Sequence, residues 1–289
     1  MKIKVGHYKE TNIAWAPEAI SCVLNKYTDT VESYVFGPQL PIKHPQPDTH
    51  LVHSHNRFYP KFTKQILQYH SPPEVVDIKV PGTCKTYVIA QYHATLPVYR
   101  SCVVVRNPID IWASEYTSPK PLPPPVRIGY SPSTYWVTSG WADKGYAETK
   151  PILERIASLF KDKIQIDIIT NVPLSEALHR KAKCHIFIDE VKTSSYHRSG
   201  LEAVGMGIPT ICSLSESVIS VIKTSANAPC TPFLNTSREE LEEKLINLIE
   251  MGFEELTKLG LTCRAWMEDY WGPQAIASEY VDIYEEALI

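Results

Sequence analysis

No run of eighteen or more apolar residues occurs in the 289-residue chain, so the sequence predicts no membrane-spanning helix. The opening stretch, MKIKVGHYKETN, lacks the apolar segment of a secretory leader, and a cytoplasmic location is expected. The seven cysteines are scattered, with no Cys-x-x-Cys and no paired His/Cys spacing, which excludes a disulfide scaffold or a zinc finger and fits a reducing compartment. Cys102, Cys184 and Cys212 lie in or beside apolar runs and read as small hydrophobes. There is no Gly-x-Gly-x-x-Gly after the first apolar run and no Gly-x-x-x-x-Gly-Lys-Ser/Thr, which argues against dinucleotide oxidoreductases and P-loop enzymes. A Gly-x-Ser-x-Gly hydrolase elbow is missing too.

What is present suits a globular protein of two domains. Hydrophobic residues make up 44% and charged residues 21%, enough for a packed core, and the length exceeds what one core usually covers. Net charge is −3, but residues 1–120 carry +4 and residues 121–289 carry −7. Seven of the ten histidines fall in the first part. Ordinary scatter accounts for this asymmetry about as well as a face for an anionic partner does.

Five prolines within residues 118–125 cannot continue a helix or a central strand and mark a stiff connection. The expected domains are therefore 1–118, a linker at 119–125, and 126–272, with a last helix over 273–289. Short apolar, β-branched runs precede the linker: Ile3–Val5, Tyr34–Phe36, Leu51–His53, Val75–Ile78, Tyr87–Ala90 and Cys102–Val105. They read as buried parallel strands of an α/β layer. After the linker, strands expected at Val126–Tyr130, Ile166–Ile169, His185–Ile188 and Pro209–Cys212 alternate with helices over Tyr146–Phe160, Leu174–Lys183 and from about Ser199. Such βαβ units wind into a parallel sheet covered on both faces. Ser237 with Glu240 forms a capping box ahead of Leu241, Leu245 and Leu248. Pro273 opens a last helix with Ile276, Tyr280, Ile283 and Tyr284 on one stripe.

The segment Arg198-Ser199-Gly200-Leu201-Glu202-Ala203-Val204-Gly205-Met206-Gly207-Ile208-Pro209 carries the chemistry. A strand ending at Asp189 leads through a polar loop to a helix start, where backbone N–H groups and the helix dipole favour an anion such as phosphate. Glu202, one turn on, is spaced to accept hydrogen bonds from a ribose diol. The same spacing is met by an N-cap Ser199 with Glu202 as its capping-box partner. Gly205, Gly207 and Pro209 weigh against that plainer account by ending the helix quickly and delivering the chain to a buried strand.

This segment resembles the nucleotide-sugar motif of two-Rossmann GT-B glycosyltransferases, particularly the large retaining family four. The resemblance extends over residues 126–289, through Lys144-Gly145 ahead of the first helix, Ser131-Pro132-Ser133 at a strand end, and the closing Tyr270-Trp271 and Glu279-Tyr280. It implies an α/β GT-B fold of two Rossmann-like domains facing a cleft, the last helix crossing back to the first domain. It also implies sugar transfer from a nucleoside-diphosphate sugar with retention of configuration, and no cofactor beyond that co-substrate. Nucleotide-sugar contacts would come from Ser131, Ser133, Lys144, Thr170, Arg198, Ser199, Gly200, Leu201 and Glu202. Catalytic roles would fall to Lys144 and Glu202, and to His93 in Val88-Ile89-Ala90-Gln91-Tyr92-His93-Ala94, which is similar to the strand end that faces the donor sugar. His7 and His55 would meet an acceptor, a glycan or another anionic polymer such as nucleic acid.

Two positions depart from the family pattern. Ser194 stands where many members carry a further Glu facing the transferred sugar, and Ser131-Pro132-Ser133 stands where they carry an Arg that Arg198 could replace. The chain has no Asp-x-Asp, so the metal-bridged diphosphate site of the other major glycosyltransferase fold is not expected. His53 and His55 point to the same side of a strand, yet spacing supplies no third ligand, and no metal is expected there. A noncatalytic nucleotide-sugar-binding subunit, favoured by Ser194, and a nucleotide-sugar epimerase or hydrolase are the alternative functions.

Overall fold

The computed structural model describes residues 2–10, 15–117, 124–133, 135 and 140–289. Of the expected proline-rich linker, residues 119–123 lie outside the described residues. The chain divides into two compact units: unit 1 is Met1–Asp110 with Trp271–Ile289, and unit 2 is Ile111–Tyr270.

Unit 1 is built on six parallel strands, β1 (Ile3–Tyr8), β2 (Val31–Phe36), β3 (Leu51–His55), β4 (Gln65–Tyr69), β5 (Thr86–Ile89) and β6 (Val103–Val105), in the order β2-β1-β3-β4-β5-β6. Helix α1 (Ala16–Tyr27) carries the chain from β1 to β2 and buries Ile20, Val23 and Leu24 at helical spacing. Strands β3 and β5 consist mainly of the apolar runs the sequence offers. Strand β4 does not, since Gln65 and Gln68 flank its Ile66 and Leu67. Gln65 donates to the Tyr59 carbonyl at 2.7 Å, and the Gln68 side-chain oxygen accepts from Tyr280 at 3.1 Å. Val75–Ile78, expected as a strand, instead follows Pro72 and Pro73 as a short 3₁₀ turn over Pro73–Val75 and irregular chain, with Val75 57% exposed. Consecutive prolines remove the N–H donors that a strand needs.

Unit 2 alternates as the sequence predicts. Its elements are β7 (Val126–Tyr130), α2 (Tyr146–Phe160), β8 (Ile164–Ile168), α3 (Leu174–Lys181), β9 (Ile186–Glu190), α4 (Arg198–Gly205), β10 (Thr210–Cys212), α5 (Glu216–Ala226), β11 (Leu234–Asn235), α6 (Leu241–Met251) and α7 (Phe253–Tyr270). The sheet is parallel throughout, in the order β11-β10-β9-β7-β8. Ile128, Ile156, Ile186, Ile188, Ile211, Leu241 and Leu245 share its core. The capping box forms: Ser237 N donates to Glu240 Oε2 at 3.2 Å, and Glu240 N donates to Ser237 Oγ at 3.3 Å. Helix α7 closes against the turn after α4, where a Cβ on Gly260 would sit 2.0 Å from the Gly207 carbonyl oxygen.

The last helix, α8 (Pro273–Leu288), belongs to unit 1, where its stripe of Ile276, Tyr280, Ile283 and Tyr284 is buried and it packs on α1. Trp271 Nε1 donates to the Asn107 carbonyl at 2.8 Å, and Arg106 pairs with Glu279 at 2.9 Å, holding the start of α8 to the chain after β6. No described helix is long and apolar enough to cross a membrane.

In each sheet the strand order reverses once. β1 leads outward to β2 while β3 lies on the other side of β1, and β7 leads to β8 while β9 lies on the other side of β7. The carboxyl ends of strands at such a reversal leave the crevice where open α/β sheets bind ligands.

Candidate functional site

The carboxyl ends of β7 and β9 gather the polar residues of unit 2. Asp189 and Glu190 end β9 wholly buried, and the following loop turns into α4 at Arg198. Asp189 Oδ2 accepts the His197 N–H at 2.6 Å, and Oδ1 accepts from Ser199 Oγ at 2.6 Å and Lys144 Nζ at 2.8 Å. A Cβ on Gly200 would lie 2.5 Å from Asp189 Oδ2, so only glycine allows the carboxylate this close to the first turn of α4. The helix end that favours an anion therefore already faces an internal one. Burial would raise the Asp189 carboxyl, but Lys144 and then His197 outweigh it and hold it below the ordinary carboxylate range.

Lys144 arrives from the loop before α2, turned into the helix by Gly145 at φ 79°. Its Nζ also donates to the Ser131 carbonyl at 2.9 Å and to Ser199 Oγ at 2.5 Å, which uses all three ammonium protons. Glu202, 3% exposed, is held the same way: Oε2 accepts from Lys181 at 2.5 Å and Oε1 from Arg198 Nε at 3.1 Å. Burial would raise this carboxyl, and Lys181 with Arg198 keeps it low. Lys144, Lys181 and Arg198 thus face Asp189 and Glu202, with one positive charge in excess. The side chains of Lys144 and Lys181 are 4% and 2% exposed, whereas that of Arg198 is 19% exposed. Arg198 is the cation of this set that reaches the surface.

The other expected residues line the same edge. Ser131 Oγ donates to the Ile169 carbonyl at 3.0 Å, and Thr170 Oγ1 donates to the Ser133 carbonyl at 3.3 Å, joining the ends of β7 and β8. Ser194 is exposed, in the left-handed region at φ 56°. Sequence reasoning missed Lys181, because it sits among His179, Arg180 and Lys183 in what reads as a solvated face. It gave Asp189 no role, although a carboxylate directly after an apolar strand was a usable signal.

Glu190 Oε2 accepts from Lys192 N at 2.8 Å, Thr193 Oγ1 at 2.8 Å and Thr193 N. Burial nevertheless dominates and pushes its carboxyl up to about 7, from 4.5. The fold therefore favours the protonated acid. Its contribution to stability is complete below about pH 4.5 and is lost as pH rises through about 7. Glu190→Gln should remove a loss of about 3 kcal/mol across that window. Urea unfolding of both proteins at pH 5 and pH 8 checks it. The wild-type-minus-variant difference should shrink with rising pH; a constant difference counts against it.

No family model matches the chain, and no curated protein matches it. Solved structures do. A glycosyltransferase from Rickettsia africae superposes with a TM-score of 0.65 at 15% identity, covering 99% of both chains. HepE of Anabaena, crystallised with UDP and glucose, gives 0.61 at 11% identity over 98% of this chain and 100% of its own. A sucrose-phosphate synthase from Thermosynechococcus elongatus gives 0.58 at 10% identity over 99% of each. The fold is GT-B.

The first sheet of this GT-B chain has its own polar cluster at the reversal between β1 and β3. His7, His53 and His55 are buried there, and His7 is the register partner of His53. The third histidine that spacing along the chain does not supply thus comes from β1 through parallel pairing. His93 lies wholly buried in the turn Tyr92–Thr95 after β5, where burial lowers its imidazole to about 3 and keeps it neutral.

Proposed function

We propose that the chain transfers a sugar from a nucleoside-diphosphate sugar, held by unit 2, to an acceptor. The observation that carries this reading is the convergence of Ser131, Lys144, Asp189, Arg198, Ser199 and Glu202 on the switch point between β7 and β9. The fold is shared along nearly the whole chain with a glycosyltransferase and with HepE, crystallised with UDP and glucose. Arg198 and the first amides of α4 neutralise the charge that grows on the departing diphosphate, in the manner of preorganised donors. Glu202 acts through Arg198, fixing its guanidinium, since both carboxylate oxygens already hold cations. Magnesium or manganese bridging is unnecessary in this scheme, and family-four membership would make the transfer retaining. The reading gives no contact to His7, His55 or His93, which are buried in unit 1.

UDP and a panel of UDP-sugars test the proposal, with products followed by mass spectrometry and no magnesium or manganese added. Binding of UDP and sugar release or transfer are expected, and Arg198→Ala should weaken UDP ten- to a hundredfold, the loss of one charge-assisted contact. Failure to bind any nucleoside diphosphate overturns it. The second reading, a nucleotide-sugar-binding chain without transfer, is favoured by Ser194 and predicts UDP binding with every donor recovered intact.

A further inference from the structure

The sheet face of unit 1 at its switch point carries histidines where a parallel sheet usually carries aliphatic side chains. His7 on β1 and His53 on β3 are register partners, and His55 lies two residues on, so all three share one face. Their ring nitrogens can be chosen to lie within 4.8 Å of one another, and all three residues are buried. His53 stacks on His55 with ring centroids 4.3 Å apart, and His7 lies 4.9 Å from His53 and 5.5 Å from His55.

The contacts behind the rings are as informative as those between them. His53 Nδ1 lies 2.9 Å from the Tyr284 hydroxyl, and His55 Nδ1 lies 3.0 Å from His70 Nε2. With each Nδ1–H donated outward, the Nε2 of both rings is left as a lone pair. Histidines that bind metals are held this way, the far nitrogen bonded to an outer partner that fixes tautomer and ring orientation. His55 Nε2 is 3.2 Å from His7 Nδ1. That distance suits a hydrogen bond, and it also suits two nitrogens on one tetrahedral ion, which bonds of 2.0–2.1 Å place about 3.3 Å apart. His53 Nε2 is buried with no hydrogen-bond partner, and leaving it unsatisfied is unfavourable unless something else occupies the space between the rings.

We propose that His7, His53 and His55 bind one divalent cation of the zinc class, with His70 and Tyr284 orienting two of the rings from behind. Imidazole donors suit zinc and its neighbours and are poor ligands for magnesium or calcium. Three neutral ligands leave the ion's charge uncompensated, so the fourth position takes water, hydroxide or a small anion. The ion ties β1 to β3 and, through Tyr284, to α8. This site belongs to unit 1 and the proposed nucleotide site to unit 2, and each stands or falls independently of the other.

The test strips the full chain with a chelator, then titrates it separately with zinc and with cobalt(II). One equivalent of zinc should bind, cobalt should give the intense visible bands of a four-coordinate site, and His53→Gln should abolish both. Tyr284→Phe removes only an outer contact and should keep one equivalent while weakening affinity ten- to a hundredfold, which keeps the proposal testable if His53→Gln fails to fold. His44→Gln, at an exposed histidine, should change nothing. Absence of stoichiometric binding by the wild type overturns the proposal, as does equal affinity in the wild type and Tyr284→Phe. Binding that His44→Gln removes assigns the metal to the surface and overturns it too.

Discussion

Glu202→Ala is expected to cost unit 2 about 3–5 kcal/mol, the range for removing one partner of a buried ion pair. Lys181 is 2% exposed and bonded to Glu202 Oε2, so the truncation strands an ammonium away from water. Arg198 loses its anchor in the same step. The sequence alone leads to a different result: with Glu202 as a ribose ligand, the variant should keep its fold and lose only the nucleotide. Urea unfolding, with circular dichroism as the probe, separates the two outcomes, and a loss under about 1 kcal/mol would return Glu202 to the ligand role. Replacing both partners, as Lys181→Met with Glu202→Leu, should recover most of the loss, because an apolar pair of similar volume carries no desolvation penalty. Recovery in the double variant also shows that the cost lies in the stranded charge and not in disrupted packing.

That contrast marks where the sequence is informative. Strands β7, β9 and β10 are buried and apolar, and α8 presents one stripe, so periodicity alone reveals them. Periodicity says which face is covered but not what meets it. Lys181 and Glu202 are 21 positions apart and meet only because the fold brings the last residue of α3 to α4. His7 and His53 are 46 positions apart in the chain and are joined by parallel register. Strand β4 escaped notice for a related reason: the bonds that Gln65 and the Gln68 side-chain oxygen make in the buried sheet come from Tyr59 and from Tyr280 on α8. The start of α4 was legible as an anion site from local chemistry. That Asp189 already occupies it depends on the closeness of β9 to Gly200, which no local pattern encodes.

Asp189→Asn should make unit 2 less stable and, at the same time, a better binder of nucleoside diphosphate. The amide is nearly isosteric, but it has one acceptor oxygen where the carboxylate uses two: kept toward the His197 N–H it preserves the cap on the first turn of α4, and the NH2 then faces Ser199 and Lys144. What it loses is the negative charge opposite Lys144, which is 4% exposed and has no other anion among its bonded partners. The loss should approach that of any broken buried pair, about 3–5 kcal/mol. A diphosphate at the α4 N-terminus would then supply the missing charge to Lys144 and the amides together, with no internal carboxylate to repel it. Affinity should rise at least about tenfold, or 1.4 kcal/mol. Because a ligand that binds only the folded state stabilises it, the diphosphate should raise the melting temperature of Asp189→Asn more than that of the wild type. Calorimetry with the bare diphosphate and a thermal scan with and without it measure both quantities. If affinity is unchanged or falls while stability drops, Asp189 and Lys144 form a structural pair beside the donor site, and the diphosphate is held elsewhere along the β7–β9 edge.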